Sequence, residues 1–280
     1  MDTAAILILV LFALLLLPVL QRRTLAMQRA RALHALERAR GTRVIALIHR
    51  RETIGFLGLP LYRFIDIDDS EAVLRAIRTT PDDRPIDLLL HTPGGLVLAS
   101  EQIAYALRDH PAKVTVIVPH YAMSGGTLLA LAADEIIMDP AAVLGPVDPQ
   151  LGPLPAASIL RAVQRKAVDH VDDTTLVMAD VAEKAVRHMK DVVRRLLLRR
   201  HDPERADALA EQLAGGHYTH DDPITFDEAQ GLDLPVVAGV PEEAFRIMSL
   251  FPQAGGGRPS VQYLPLPTPA DRGTRRNERA

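Results

Sequence analysis

Two largely apolar runs, Ile86–His91 and Val114–Pro119, each end in a turn that carries a glycine pair. The first turn reads His91-Thr-Pro-Gly-Gly95 and the second His120-Tyr-Ala-Met-Ser-Gly-Gly-Thr127. Short apolar runs without polar alternation are the pattern of strands buried on both faces. Val44–His49 and Glu135–Met138 have the same character, and Tyr62–Ile67 alternates as a strand would. Between them lie helical stretches: one capped by Asp68-Asp69-Ser70 and reaching about Thr79, one over Val97–His110, and a short one of small residues over Gly126–Ala133. Strands alternating with helices predict an α/β chain whose largely parallel sheet is covered on both faces.

Beyond Gly145-Pro-Val-Asp-Pro-Gln-Leu-Gly-Pro153 the pattern changes. Ala156 to about His201 is long, charged and helical, with a break near Asp172-Asp173. Asp202-Pro203 opens another helix that ends at Gly215-Gly216, and a small helix surrounds Asp227 to Gln230. From Phe251 onward Gly, Pro and Arg dominate, the composition of a disordered tail.

The 280 residues suffice for one globular domain of about 200 residues with appendages. A formal charge of −3 argues against nucleic acid as the main partner. The absence of cysteine excludes disulfides, thiolate metal sites and a cysteine nucleophile. Lysine occurs only at Lys113, Lys166, Lys184 and Lys190, which shortens the list of lysine bases.

At the N-terminus, Ala4 to Leu20 carries no charge and has the length of a short spanning helix. Arg22, Arg23, Arg29, Arg31, Arg38 and Arg40 follow it, and only Asp2 precedes it. That asymmetry predicts an N-out, C-in membrane anchor with a cytoplasmic domain. Gln21 to Arg40 reads as a continuing helix, either near anionic headgroups or as a solvated stalk. The expected organisation is an anchor over 1–21, a basic juxtamembrane helix over 22–40, a catalytic-type domain over 41–250 and the tail over 251–280.

Ser124 is the candidate nucleophile. A serine hydroxyl needs a base to take its proton and donors aimed at the developing oxyanion. Gly125 lets a carbonyl approach the backbone beside it, and Pro93-Gly94-Gly95 can turn N–H groups toward the same spot. The competing explanations are two turns that only permit close packing, or a phosphate cradle at a helix start. No phosphate-loop or dinucleotide fingerprint is present. His217, His220, Asp221 and Asp222 cluster in sequence, but their spacing fits no metal site.

Taken together, strand-Thr-Pro-Gly-Gly, strand-Tyr-Ala-Met-Ser-Gly-Gly, Ala-Asp-Glu-Ile-Ile-Met-Asp-Pro and Leu-Gly-Pro-Val-Asp-Pro-Gln-Leu-Gly resemble the Clp-protease/crotonase superfamily. Within it the chain is most similar to the membrane-anchored SDH proteinases, relatives of signal peptide peptidase A, over roughly residues 41 to 240. The resemblance implies a spiral of ββα units and peptide-bond hydrolysis through an acyl-enzyme, without cofactor or metal. It maps the nucleophile onto Ser124 and the oxyanion hole onto the N–H groups of Gly95, Gly94 and Gly125. Clp-type peptidases place a histidine where this chain has Gly145-Pro-Val-Asp148-Pro-Gln, which argues against a Ser-His-Asp triad of that kind. Signal-peptide-peptidase relatives use a lysine beyond the serine, which points to Lys166, with His91 and His120 as weaker bases. Asp148 either orients a partner or caps its turn. The implied partners are peptide or unfolded-protein substrates, the membrane and further copies of the chain, with Ala156 to Arg200 as the docking surface. Two other functions compete: a catalytically silent membrane scaffold of this fold, motivated by the missing histidine, and a crotonase-like acyl-CoA enzyme.

Overall fold

The structure is a computed structural model and describes residues 3–50 and 64–251, with side chains before Val19 described only at Phe12, Leu16 and Leu17. The chain runs through α1 (Thr3–Arg40), β1 (Arg43–Ile48), α2 (Ile67–Arg78), β2 (Ile86–His91), α3 (Val97–Arg108), β3 (Val114–Val118), β4 (Tyr121–Ala122), α4 (Gly125–Leu131), β5 (Glu135–Met138) and β6 (Val143–Leu144). A hairpin of β7 (Gln150–Leu151) and β8 (Leu154–Pro155) leads into α5 (Ala156–Gln164), α6 (Asp173–Leu197) and α7 (Pro203–Ala214). The described chain closes with β9 (Ile224–Thr225), α8 (Phe226–Gly231), β10 (Val236–Ala238) and α9 (Glu242–Ser249).

Five strands form a wholly parallel sheet in the order β1-β2-β3-β5-β10. Strand alternation explains why its central strands read as unbroken apolar runs: successive side chains point to opposite faces, and both faces are covered. Leu88, Leu90, Val116, Val118, Ile136 and Met138 enter the main core, which α2, α3, α4, α6 and α7 complete. Leu89, Ile117 and Ile137 point the other way, onto Leu36 of α1 and Ile247 of α9. The mixed α/β architecture with its parallel sheet is therefore the one the sequence pattern predicts.

A second, smaller sheet, β4-β6-β9, sits at the ends of the first. β3 passes into β4 and then α4, the ββα unit expected from the resemblance. β2 does nearly the same, since Thr92 bridges Ala122 before α3 begins. β2, β3 and β5 thus deliver their C-terminal ends to the second sheet, where ligands gather in parallel α/β folds.

Several expectations change. Helix α2 is capped by Asp66 rather than by Asp68-Asp69-Ser70: the Asp66 carboxylate accepts the Asp69 N–H, and the Asp69 carboxylate accepts the Asp66 N–H in return. The strand expected over Tyr62–Ile67 is reduced among the described residues to one bridge, Ile65 to Gly95, because Ile67 already begins the helix; Tyr62 and Arg63 lie outside the described residues. The juxtamembrane stretch is neither a free stalk nor wholly solvated. Its last turns pack on the sheet through the fully buried Leu36, and Arg40 pairs with the buried Asp87 of β2. Among the described residues no helix is long and apolar enough to cross a membrane. Most side chains of the expected span lie outside the described residues; Phe12, Leu17, Val19 and Leu20 are exposed. The tail beyond 251 also lies outside them.

Leu88 sits at the centre of this packing with no solvent exposure. Leu88→Ala should lower unfolding stability by about 3 kcal/mol. Urea denaturation is expected to show that loss as an earlier midpoint with an unchanged slope.

Candidate active site

Ser124 stands at the junction between β4 and α4, with φ 50° and ψ −115°. Only two non-glycine residues among those described adopt positive φ, and a serine held there costs on the order of 1–3 kcal/mol. The turn is fixed by the Gly126 N–H donating to Met123 O at 2.7 Å and the Thr127 N–H donating to Ser124 O at 2.9 Å. Helix α4 is buried along its length, so it holds the turn rigidly while Ser124 itself stays half-buried at the edge of a cavity of about 500 Å³.

The first glycine pair packs directly on this turn. Gly94 has φ +103°, and a Cβ there would lie 2.8 Å from Ser124 Cβ. A Cβ on Gly95 would lie 2.2 Å from Ile65 O, and one on Gly125 would lie 2.2 Å from Ser100 Oγ. All three positions therefore admit only glycine without displacing their neighbours. The Ile65 N–H donates to Gly94 O at 2.7 Å. In a trans peptide the carbonyl and the following N–H point in opposite directions. The Gly95 N–H is thereby turned away from Ile65, toward the side where Ser124 lies. Among the described residues the Gly95 and Gly125 N–H groups make no hydrogen bond. Both glycines line the cavity beside Ser124, so two donors converge where an oxyanion would form.

A third group reaches the same cavity from farther along the chain. β6 and β9 pair antiparallel with Val143 opposite Thr225 and Leu144 opposite Ile224. Continuing that register beyond β6 places Asp148 opposite His220. The two side chains meet: His220 Nδ1 lies 2.8 Å from Asp148 Oδ1. Asp148 is only 4% exposed, and its other oxygen accepts the Gln150 Nε2–H at 2.6 Å. The turn that carries His220 is pinned by the Thr219 N–H donating to the Asp222 carboxylate at 2.8 Å. Donation from Nδ1 to the carboxylate leaves Nε2 of His220 free to act as an acceptor. The Asp148 hydrogen bond raises the His220 pKa above its ordinary 6.5, against the burial that would lower it. Ser124, Asp148, Gln150 and His220 all line the one cavity, whose remaining wall includes Phe64, Val97, Leu128 and Met189.

Of the residues expected from the sequence, the structure brings Ser124, Gly94, Gly95, Gly125 and Asp148 together and leaves Lys166 out. Lys166 follows the C-terminus of α5, is exposed and does not line the cavity. The apolar residues next to it in sequence do not enclose it, since Val168 is 66% exposed. His120 also faces elsewhere, its ring packed near His91 and Phe245. His91 is buried under Tyr121, and burial together with Arg50, His120 and His49 pushes its pKa down to about 3. Lys113, Lys184 and Lys190 are paired with Glu135, Asp180 and Glu211. His220 is the residue that no sequence pattern singles out as a base. Its cluster with His217, Asp221 and Asp222 suggests a metal site at most, and among the described residues no group of three such side chains is placed to hold a metal.

Comparison with known proteins bears on this arrangement. Residues 2–278 match the family model described as ClpP-like SDH-type serine proteinase. An uncharacterized protein of Methanocaldococcus jannaschii is 53% identical over 257 residues, covering 92% of this chain and 88% of its own. A second uncharacterized protein from the same organism is 51% identical over 267 residues, covering 95% and 93%.

The His220 imidazole should titrate above pH 6.5 when followed by histidine NMR. Asp148→Asn removes the carboxylate that stabilises the imidazolium and should bring that pKa down. An unchanged titration would mean that the two side chains are not paired in solution.

Proposed function

The chain belongs to the ClpP-like SDH-type serine proteinases, and on that premise we propose that it hydrolyses peptide bonds through an acyl-enzyme on Ser124, with His220 as general base and Asp148 as the carboxylate that orients it. Ser124 Oγ attacks the peptide carbonyl carbon while His220 Nε2 takes its proton. The carbonyl electrons move onto oxygen, which the Gly95 and Gly125 N–H groups receive. Asp148 stabilises the imidazolium without taking the proton itself. The imidazolium then protonates the leaving amine as the intermediate collapses to the ester. Water, deprotonated by the same imidazole, releases the acid and regenerates Ser124. None of these steps calls for a metal or an organic cofactor.

The observation that carries this reading is the His220–Asp148 pair at 2.8 Å in the cavity that also contains the strained Ser124. It replaces the lysine base with a histidine supplied from across the β6–β9 register. It also removes the motive for a catalytically silent scaffold, which rested on a missing histidine. The apolar wall of Val97, Leu128 and Met189 suits an apolar side chain beside the scissile bond.

Membrane anchoring is part of the same proposal. It rests on the charge-free run Ala4 to Leu20 at the start of α1, followed by Arg22 and Arg23. The arginine side then faces the cytoplasm and carries the catalytic domain. Its substrates are unfolded segments or peptides near the bilayer. Self-association is proposed through the α5–α6 surface, where Val177 and Val181 are exposed. Carbonate extraction of native membranes should leave the full chain in the pellet; recovery in the supernatant would sink the anchor.

Labelling with a fluorophosphonate probe tests the chemistry. Ser124→Ala and His220→Ala should lose labelling, and Lys166→Ala should retain it. Asp148→Asn should reduce turnover of a peptide substrate by about 10⁴-fold, the scale seen when such a carboxylate is neutralised elsewhere. Because the base must be unprotonated, activity should rise with pH through a midpoint above 6.5. Loss of labelling in Lys166→Ala with retention in His220→Ala would overturn this assignment.

A further inference from the structure

A largely buried chain of hydrogen bonds runs from Asp69 through His49 and Thr92 into the Gly94 loop. The His49 Nε2–H donates to Asp69 Oδ2 at 3.0 Å, and His49 Nδ1 lies 2.9 Å from Thr92 Oγ1. With its proton on Nε2, His49 accepts at Nδ1, so the Thr92 hydroxyl donates to it. The lone pairs of Thr92 Oγ1 in turn accept the Gly94 N–H at 3.2 Å. Thr92 has no solvent exposure and His49 has 5%, and neither they nor the half-buried Asp69 lines the cavity, so none of the three side chains touches a substrate there. Against the burial that would raise it, the His49 hydrogen bond holds the Asp69 carboxyl below its ordinary range, as an ionised end to the chain requires.

The same short segment grips the loop twice. Ile65 takes the Gly94 carbonyl and gives its own carbonyl to the Leu96 N–H at 2.8 Å. Asp69, one turn later, holds His49 while its carboxylate also accepts the Asp66 N–H of the capping box. The loop is thereby held at both the Gly94 N–H and the Gly94 carbonyl. Gly94 sits at φ +103°, where a glycine rotates readily. Rotation of the Gly94–Gly95 peptide would carry the Gly95 N–H away from the cavity. Ile65 holds that peptide at its carbonyl, while Thr92 fixes the N–H of Gly94 in the preceding peptide and places its Oγ1 3.3 Å from the same Gly94 carbonyl.

We propose that Asp69, His49 and Thr92 are positioning residues that lock the Gly94–Gly95 peptide with its N–H facing Ser124, so that this relay sets the strength of the oxyanion hole. The inference rests on the serine-peptidase reading and adds to it three residues outside the cavity. It also accounts for the choice of threonine. The hydroxyl serves the relay, and the methyl fills the space where a Cβ on Gly126 would come within 2.6 Å of it.

The test separates hydroxyl from methyl in the full chain. A fluorophosphonate probe reports kinact and KI separately, and its tetrahedral adduct places an oxygen in the oxyanion hole. Thr92→Val keeps the methyl and loses the hydroxyl; kinact should fall by about tenfold to a hundredfold, with KI nearly unchanged. Thr92→Ser keeps the hydroxyl and should recover most of the rate, which a purely packing role would not predict. His49→Ala, which leaves the Thr92 packing in place, is the second variant and should show the same fall in kinact. Circular dichroism verifies that each variant is folded. Wild-type kinact in folded Thr92→Val or folded His49→Ala overturns the inference while leaving the peptidase reading intact. A wild-type protein that the probe does not label at Ser124 overturns both.

Discussion

Contact between two turns governs the rest of this molecule. Ser124 can hold its positive φ because Gly94 has no side chain to meet it, and Gly94 can approach because the Thr92–Ala122 bridge draws β2 and β4 together. Neither turn would be competent alone. The serine turn without the glycine loop presents a hydroxyl but only one of the two converging donors. The glycine loop without the serine turn has nothing to stabilise. The parallel sheet exists, in functional terms, to bring the ends of two neighbouring strands to this separation.

The helical layers secure that arrangement from two sides. On one face, α3 and α4 bury themselves against β2 and β3 and fix the exits of both turns. On the other, α1 and α9 cover Leu89, Ile117 and Ile137. The end of α1 is tied to β2 by Arg40 and Asp87, and Thr42 Oγ1 donates to the same carboxylate at 2.9 Å. The helix that leads from the proposed anchor is therefore continuous with the sheet that carries the site. Under the proposed anchoring, orientation at a bilayer and orientation of the cavity would be one property.

What the sequence disclosed follows the range of the interactions involved. Ile86–His91 and Val114–Pro119 are legible as buried strands because burial on both faces leaves a local apolar run. The glycine pairs are legible because positive φ and close approach demand a residue type at a fixed place. The break at Asp172-Asp173 is visible because a cap is a local hydrogen bond, here from the Thr175 N–H to Asp172 at 3.0 Å. His220 is different in kind. Its role depends on the pairing of β6 with β9, two-residue strands too short to leave a pattern. Lys166 is implied by the resemblance to signal-peptide-peptidase relatives, and a resemblance does not report which way the chain leaving α5 points. The cap is Asp66 and not Asp68-Asp69-Ser70, because acidic residues this close in sequence look equivalent until the backbone chooses one.

The Asp148–His220 hydrogen bond joins residues 72 positions apart, with α5, α6 and α7 folded between them. Closing so long a loop costs chain entropy that the local turns carrying Ser124 and the glycines do not. A chain still emerging from synthesis, or one that has lost its helical insert, holds the serine and the two amide donors but no base. On the proposed chemistry, the base joins the serine only when the topology is complete, so that assembling the fold and arming the site are a single event.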